Sequence, residues 1–584
     1  MKKLFSILLA GFLFTGMMFG CGDAGSAEES RVSSPESSGK TDSASSEEDS
    51  DAPSKEAPAA AGDVDFSEHM AFTAWLQADP NDYYASYSDN PVVQYLNNKF
   101  NMTLSYEQPP SGSEQDAMSL MFGTGEYTDM VAINVYQGSV QALYEDGIIV
   151  DAGEYLDYMP NFKALIESDE NVRRHVYNDD GRIFKLPVVA TDEELVWGSL
   201  LYRHDILEEM TDGHVAFPSG NDVPTTYADW DYMLPLFKAY FEAAGLPQYA
   251  CLILPYNGFF HYGEMATGFG FQTGDYYVND KGEVGHGFLD DGLYDYLKKM
   301  NEWFEAGYIY QDFASRVNDM FFLPNTELTY GGAAGIWYGL AGQQGDALSM
   351  PEYGIDVDVR VMPSPIAEGI EPSQMLKRNP PPYEGSGAGV SVTTKCEDLP
   401  RFFATLDFMY SEEGGMLWKY GLTKEQLPES NGIYEANGLD EGAYWYDDKG
   451  DFVLNPLFDT MGGPIAPDNM AGIRLPGLSL NDNDRKIVSE ATLHADEVWA
   501  QYDSVATNFK LPDSLSYNIE EDTLMADTIT NVRDYTNRMI PNFIMGTEPL
   551  NEESFETFRT QLIRYGLADC VEIAQASYDR YMDR

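Results

Sequence analysis

Several aromatic side chains lie outside any helical pattern and stand beside carboxylates, amides or glycines. Such a ring can stack on the apolar C–H face of a pyranose, while Asp, Glu, Asn and Gln side chains exchange hydrogen bonds with the hydroxyls. The positions are Trp75 before QADPNDYY, Trp197 between TDEE and LLYR, Trp337 with Tyr338 in GGAAGIWYGLAG, and Trp445 with Tyr446. Each one alone fits burial in a core as well as ligand contact, but the set indicates sugar recognition.

No catalytic motif is complete in this sequence. There is no HExxH helix, and the seven histidines lack the spacing of metal ligands. GSGAG at 385–389 would need a glycine in place of Glu384 to form a nucleophile elbow, and GFGFQTG at 268–274 departs from the dinucleotide-binding pattern. We therefore predict no catalytic residue, no metal site and no cofactor. A dyad among the 96 Asp and Glu residues keeps a surface glycosidase as an alternative.

The first 65 residues form a predicted targeting and anchoring segment. Lys2 and Lys3 precede an apolar run at 4–20, which is the pattern of a secretory signal peptide. Gly20 and Cys21 follow, and this arrangement resembles a bacterial lipobox, in which the cysteine is acylated. We expect a signal peptide at 1–20 and lipidation of Cys21. An ordinary signal peptide with an incidental Cys21 is the alternative.

The segment after Cys21 is rich in Ser, Asp and Glu, and residues 22–65 contain no aromatic residue, Leu or Ile. Such a composition cannot bury enough apolar surface to offset the entropy of ordering, so 21–65 is predicted to be a disordered tether. Anchor and tether would hold a folded body at the extracellular face of the cell membrane, or on the periplasmic side if an outer membrane is present.

The chain carries a formal charge of −61, most of it within 66–584. This charge repels nucleic acid and anionic lipid headgroups, so we expect no nucleic-acid partner and membrane contact only through the lipid anchor. Cys251, Cys396 and Cys570 form no CxxC pair. We expect buried small side chains at these positions, with a single disulfide as the alternative.

The folded body begins with an α/β rhythm. Strand patterns at 71–77, 102–108 and 128–134 alternate with helical patterns, the first of them capped by Asn90 and Pro91. This alternation predicts a parallel sheet, and ligands gather at the carboxyl ends of such strands. The length of 66–584 exceeds that of a usual single domain and favours two lobes.

A series of motifs resembles one family in order and spacing. They are NPVVQYLNNKF, AMSLMFGTGEYTDMVAI, GRIFKLPVV, LLYRHDILEEM, PTTYADWDYM, LPYNGFFHYGEMATGFG, GGAAGIWYG, FATLDFMYSEEGGMLWKYG and the closing EESFETFRTQLIRYGLADCVEIAQASYDRY. Together they are similar to extracellular solute-binding proteins of ABC transporters, the family that includes maltose-binding proteins and LipO-like lipoproteins. The resemblance covers most of 70–424 and 495–584.

This resemblance implies an α/β, two-lobe periplasmic-binding-protein-like fold (type II) with a ligand cleft between lobes joined by hinge segments. It implies a monomer that binds a solute, closes, and docks on an ABC permease without binding ATP. We expect lobe 1 at 66–190 plus about 366–425, and lobe 2 at about 191–365 plus about 426–584. The crossings are expected near 187–197, near 359–366 and after about 425, and 425–485 is a loop-rich insertion.

The resemblance also implies positions that contact the ligand. They are Trp75, Gln77, Asp79, Asn134, Tyr136, Glu194, Trp197, Tyr256, Phe259, Phe260, Trp337 and Tyr338. Trp337 matches an aromatic residue that forms the floor of a sugar site, whereas Asp129 is expected to be structural. A neutral oligosaccharide is the expected ligand. The alternatives are a peptide or another small solute, a surface glycosidase, and a sensor or adhesion lipoprotein.

Overall fold

The computed structural model describes residues 64–76, 82–109, 113–136, 138–190, 195–254, 263–270, 274–315, 326–378, 389–461, 477–479 and 484–584. The predicted signal peptide, Cys21 and nearly all of the predicted tether lie outside these ranges. So do Gln77, Asp79, Glu194, Tyr256, Phe259 and Phe260. Within the described ranges, no helix combines the length and the apolar character that crossing a membrane requires.

The strands and helices follow one another in four stretches of chain. The first contains β1 Met70–Trp75, α1 Pro91–Lys99, β2 Met102–Glu107, α2 Glu114–Thr124, β3 Met130–Val131, α3 Val140–Glu145, α4 Pro160–Ser168, α5 Glu170–Val176 and β4 Leu186–Ala190. The second contains β5 Gly198–Arg203, α6 His204–Met210, α7 Tyr227–Ala244, β6 Ala250–Leu252, α8 Gly263–Ala266, β7 Tyr276–Asn279, β8 Val284–His286, α9 Gly292–Glu305, α10 Thr326–Tyr330, β9 Ala334–Leu340 and β10 Val359–Val361.

The third stretch contains β11 Gly389–Val392, α11 Leu399–Phe408, α12 Glu412–Tyr420, α13 Ile433–Ala436, β12 Tyr444–Tyr446, β13 Phe452–Leu454, α14 Pro456–Met461 and β14 Gly477–Ser479. The fourth contains α15 Asp484–Ile487, α16 Glu490–Trp499, β15 Asn508–Lys510, α17 Ile519–Ile544, α18 Glu552–Arg564 and α19 Leu567–Met582.

Six strands form the sheet of the first lobe, in the order β14-β4-β11-β3-β1-β2. β1 is parallel to β2 and β3, and β4 is parallel to β14, whereas β11 is antiparallel to both β3 and β4. β4 therefore runs in the same direction as β1 to β3, and their carboxyl ends share one edge of the sheet. The parallel arrangement of β1, β2 and β3 expected from the sequence is confirmed, and β11 makes the whole sheet mixed.

Local sequence signals place the first elements of this sheet. Asn90 Oδ1 accepts a hydrogen bond from Val92 N at 2.9 Å, and Pro91 occupies the first position of α1, as predicted. Asp129 Oδ2 accepts from both the backbone N and Oγ1 of Thr73, each at 2.7 Å. This carboxylate ties the start of β3 to β1, which agrees with the structural role expected for Asp129.

Four strands form the sheet of the second lobe, in the order β10-β5-β9-β6. β5 is antiparallel to β9 and β10, while β6 is parallel to β9. The helices α7, α9, α17 and α18 surround its core, which contains Trp230, Phe237, Leu297 and Phe558. A small sheet, β15-β7-β8, packs with α19 around Tyr276 and extends the same lobe.

The closing motif EESFETFRTQLIRYGLADCVEIAQASYDRY forms two helices, α18 and α19. Gly566 separates α18 from α19 with a φ of +102°, which lies in the region that favours glycine. Phe555, Phe558 and Leu562 are buried on one face of α18, as their spacing predicts.

The three cysteines of the folded body are buried and unpaired. They are Cys251, Cys396 and Cys570, and each lies in a different hydrophobic core cluster. Burial raises the pKa of Cys251 and of Cys396 to about 12, so both remain protonated thiols near neutral pH. These side chains therefore act as small apolar residues.

The second crossing differs from the sequence prediction. Residues 359–361 do not leave the second lobe, because β10 pairs with β5 there. The chain stays with this lobe up to Arg378, since Leu376 N donates to Thr267 Oγ1 at 2.9 Å and Arg378 N donates to Asp503 Oδ1 at 2.9 Å. Gly389, the first residue of β11, already pairs in the first sheet, so the first lobe's later segment begins after Arg378 instead of near 366.

The insertion at 425–485 also differs from the prediction, which placed it with the second lobe. Leu427, Tyr434 and Phe458 belong to the first lobe's core, and β14 extends the first sheet through β4. Its pattern of turns gave no indication of which core its apolar residues would join. The third crossing lies after Ser479 and before Trp499, which is buried in the second lobe.

Candidate functional site

The carboxyl ends of β1 and β3 form an edge with polar and aromatic residues beyond it. Trp75 pairs with Val131 at the last position of both strands. Past β3, Asn134 is exposed and Tyr136 is half-buried, with its ring edge-on to Phe122 at 5.2 Å. Burial raises the pKa of Tyr136, so its hydroxyl stays protonated and can donate a hydrogen bond.

The second lobe begins directly across from this edge. β4 ends at Ala190 on the shared carboxyl edge and β5 begins at Gly198, so only residues 191–197 separate the start of β5 from that edge along the chain. At this start, the carbonyl oxygen of Gly198 accepts hydrogen bonds from Tyr338 Oη at 2.8 Å and Arg378 Nη2 at 3.2 Å. Trp197 is half-buried here, and its carbonyl oxygen accepts from Ala341 N at 3.2 Å.

Two carboxylates hold the crossings in place. Asp496 Oδ1 accepts from Val196 N at 2.7 Å, in the first crossing. Asp503 accepts from Arg378 N, just before the second crossing. Asp496 lies in α16 and Asp503 follows it, so one part of the second lobe binds the chain beside the first and second crossings. Sequence reasoning missed Asp496 and Asp503, because nothing distinguishes them from the many other acidic residues.

The predicted contact residues in described positions divide by exposure. Asn134, Tyr136 and Trp197 keep exposed surface at the two edges. Trp75, Trp337 and Tyr338 are buried, with 5%, 1% and 5% of their surface exposed. Trp337 Nε1 donates to Gln343 Oε1 at 3.1 Å, inside the second lobe's core. The buried rings support the edges from within the cores.

The remaining predicted contacts lie outside the described residues, so only their order in the sequence is known. Gln77 and Asp79 come after β1, and Glu194 comes between β4 and β5. Tyr256, Phe259 and Phe260 follow β6, which is parallel to β9. Because Gly198 pairs with Leu340 at the end of β9, the carboxyl end of β6 lies at the edge where β5 begins.

A surface groove with a volume of about 600 Å³ lies elsewhere, between α17 and α18. Two arginines, Arg538 and Arg564, line it together with Tyr535 and Tyr565. This groove is on the helical side of the second lobe and includes none of the predicted contacts. Among the described residues, no group of three or more His, Cys, Asp or Glu side chains could hold a metal ion.

Solved structures of solute-binding proteins match this chain over nearly its whole folded length. An HMO-binding solute-binding protein associated with an ABC transporter, from Bifidobacterium longum infantis ATCC 15697, has a TM-score of 0.68 at 15% identity, with 88% of this chain and 99% of that chain covered. FusA, an ABC-transporter substrate-binding protein of S. pneumoniae in complex with kestose, has a TM-score of 0.65 at 15% identity, with 88% and 99% covered. The alginate-binding protein AlgQ2 has a TM-score of 0.63 at 17% identity, with 87% and 98% covered.

No protein-family model matches the sequence, and no curated protein matches it. Identities of 15–17% establish a common fold alone. The two sheets, their three crossings and these matches agree with the architecture that the motif order implied. This chain has the two-lobe α/β fold of extracellular, periplasmic-binding-protein-like solute-binding proteins.

Proposed function

We propose that this protein is the solute-binding component of an ABC importer and captures a neutral oligosaccharide between its two lobes. The observation that carries the proposal is a fold of two α/β lobes joined by three crossings of the chain, which is shared with solved structures of solute-binding proteins. The protein binds its ligand without turnover and delivers it to permease subunits. An HMO-binding protein and a kestose complex among the structural matches support a saccharide ligand.

The proposed contacts come from both edges. Asn134 and Tyr136 offer an amide, a phenol and a ring face from the first lobe, and Trp197 offers an indole at the crossing. Amides and hydroxyls exchange hydrogen bonds with sugar hydroxyls, and aromatic rings stack on the apolar sugar face. Gln77, Asp79, Glu194, Tyr256, Phe259 and Phe260 complete the proposed site. Trp75, Trp337 and Tyr338 support it from the cores.

The charge of the chain favours a neutral ligand. A formal charge of −61 creates a field that opposes the approach of anions, so an anionic saccharide would need a local cluster of cations. We also propose that Cys21 is acylated and that the segment 21–65 tethers the folded body to the outer face of the cell membrane. A matched pair tests the anchor: the wild type should label with a fatty-acid probe in cells, and Cys21→Ser should not.

Calorimetric titration of residues 66–584 tests ligand binding. The panel contains gluco-, manno-, galacto- and xylo-oligosaccharides, with a peptide mixture as the comparison. We expect one saccharide class to bind, and Tyr136→Ala to weaken this binding at least tenfold, because the ring and the hydroxyl are both lost. Tyr353→Ala is the control, since Tyr353 is a 56% exposed tyrosine in the turn before β10 and is not among the predicted contacts.

Three outcomes would contradict the proposal. Heat from the peptides with none from the saccharides would indicate a peptide-binding protein with the same fold. Release of shorter saccharides during prolonged incubation would indicate a glycosidase. Equal loss of affinity in Tyr136→Ala and Tyr353→Ala would show that the first edge is not the binding site.

A further inference from the structure

An acidic residue of the first lobe is held between two arginines of the second. Asp179 follows α5, and Asp179 Oδ2 accepts from Arg580 Nε at 2.6 Å. Asp179 Oδ1 accepts from Arg584 Nη2 at 2.6 Å and Arg584 Nε at 2.9 Å. Each oxygen of this one carboxylate therefore contacts a different guanidinium.

The partners belong to different lobes. α5 and the segment that follows it pack in the first core, through Val172, Val176 and Ile183. α19, which carries Arg580, packs against the second lobe's small sheet through Cys570 and Ala574. The contact therefore spans the two lobes, apart from the three crossings of the chain.

The second arginine bridges the lobes by itself. The side chain of Arg584 is only 4% exposed. Its Nη1 donates to the carbonyl oxygens of Tyr177 at 2.6 Å and Ser514 at 3.0 Å, one from each lobe. Arg580 Nη2 also donates to Glu521 Oε2 at 3.0 Å, which fixes this guanidinium to α17. Charge-assisted hydrogen bonds in such a partly buried setting are stronger than those between exposed ions.

A second interlobe contact lies close to the proposed site. Burial raises the pKa of the Asp522 carboxyl in α17, and the hydroxyl of Ser139, at the start of α3, is near enough to oppose this shift. Ser139 lies three positions after Tyr136, at the ligand-side edge of the first lobe. Asp522 is next to Glu521, the partner of Arg580, so this part of α17 lies near both that edge and Arg580. Separation of the lobes at this edge would therefore change the surroundings of Ser139 and of Arg580 together.

We propose that Asp179, Arg580 and Arg584 form an interlobe clasp that holds the closed arrangement and thereby sets ligand affinity. The proposal rests on the proposed function, in which ligand binds between closed lobes. A ligand that binds the closed form has an apparent affinity proportional to the population of that form. Loss of the clasp therefore weakens binding without changing any ligand contact.

Asp179→Asn removes the charge and keeps the shape. We expect the ligand-free variant to show a larger radius of gyration in X-ray scattering than the wild type, and at least tenfold weaker binding of the saccharide that binds the wild type. Asp180→Asn is the matched control, because Asp180 is the neighbouring acid and pairs with Arg182 inside the first lobe at 3.3 Å. This control should leave both readouts unchanged.

Salt and a double mutant sharpen the test. Raising the ionic strength from about 0.1 to 1 M shortens the electrostatic screening length from about 10 to 3 Å. It should therefore increase the radius of gyration of the wild type more than that of Asp179→Asn. Arg580→Gln combined with Asp179→Asn should open the lobes less than the sum of the two single effects, as expected for a direct pair. Circular dichroism confirms that each variant folds.

Either of two results would overturn the clasp. One is an unchanged radius of gyration and affinity in Asp179→Asn. The other is tighter binding, which would assign the contact to the open arrangement. If the wild type binds no saccharide, the proposed function fails, and the scattering comparison alone still decides whether Asp179 holds the lobes together.

Discussion

Tyr136 of the first lobe and Trp337 of the second are both aromatic residues that the sequence singles out as ligand contacts, but the two lobes use them differently. β3 has only 2 residues, so Tyr136 lies beyond the sheet and keeps a half-exposed ring. β9 has 7 residues and lies between β5 and β6, so Trp337 is enclosed and 1% exposed. The length of the strand thus decides whether the aromatic residue lies at the edge of the sheet or in the core of the lobe.

Two buried aspartates extend the comparison to electrostatics. Burial raises the pKa of Asp407 in the first lobe, although the amides of Asn161 and Phe162 oppose it. Burial acts in the same direction on Asp229 in the second lobe. There, amide donors that include Ser219 N and Thr225 N, each at 2.8 Å, outweigh burial and lower the pKa. The two buried aspartates therefore make the stability of their lobes depend on pH in opposite directions.

The largest expected effect is that of Trp337→Ala. This change should lower the free energy of unfolding of the second lobe by about 3–5 kcal/mol, because it leaves a cavity in a closed core. Tyr136→Ala is the control and should change the stability of the first lobe far less. Denaturant unfolding followed by circular dichroism measures both. A loss below about 1 kcal/mol would place the Trp337 ring outside the core.

Asp229→Asn should lower the free energy of unfolding of the second lobe by about 2 kcal/mol at neutral pH, since backbone amides of α7's start lose a charged acceptor. The folded pKa is lowered, so this stabilisation is present above the unfolded pKa and is lost as pH falls through the folded one. The difference from the wild type should therefore shrink in acid. Unfolding curves at a series of pH values measure it.

Asp407→Asn should lower the free energy of unfolding of the first lobe by a smaller amount at neutral pH, about 1 kcal/mol. The folded pKa of Asp407 is raised, so its proton-linked stabilisation is complete below the unfolded pKa of about 4 and is lost as pH rises through the folded one. The difference from the wild type should therefore grow as pH falls from neutral. Unfolding curves at the same series of pH values measure how this difference in unfolding free energy changes with pH. A change in the same direction as that of Asp229→Asn would contradict the predicted difference between the two aspartates.

The smallest expected effect is that of Tyr446→Ala, about 0.5 kcal/mol or less on unfolding of the first lobe. Tyr446 is 55% exposed and meets Phe452 at a ring distance of 5.8 Å, so little buried surface is lost. Thermal unfolding measures it. A loss comparable to that of Trp337→Ala would mean that the β12–β13 hairpin is part of the core.

Much of the local structure could be predicted from the sequence. Asn90 and Pro91 mark the start of α1, and Phe555, Phe558 and Leu562 mark the buried face of α18. Caps and helical spacing act between residues that are close in the chain, so their pattern is visible without a structure. The two-lobe α/β fold followed from the order of such patterns together with the family resemblance.

The site could be predicted only in part. The sequence placed Tyr136 and Trp197 near sheet edges, but it could not separate them from Trp337, because burial depends on which strands lie on either side. It gave no signal for Asp496 or Asp503, since their partners are backbone amides far away in the chain.

The sequence by itself determined the elements, their order, the acidic charge and the candidate lipid-anchor segment of this protein. Only the tertiary structure decided that 427–458 joins the first core and that Asp179 meets Arg580, 401 positions away. No local sequence pattern shows which residues a turn-rich segment or a single charged residue will contact in the folded protein. Their partners are set by how the two lobes pack, and this depends on the whole chain at once.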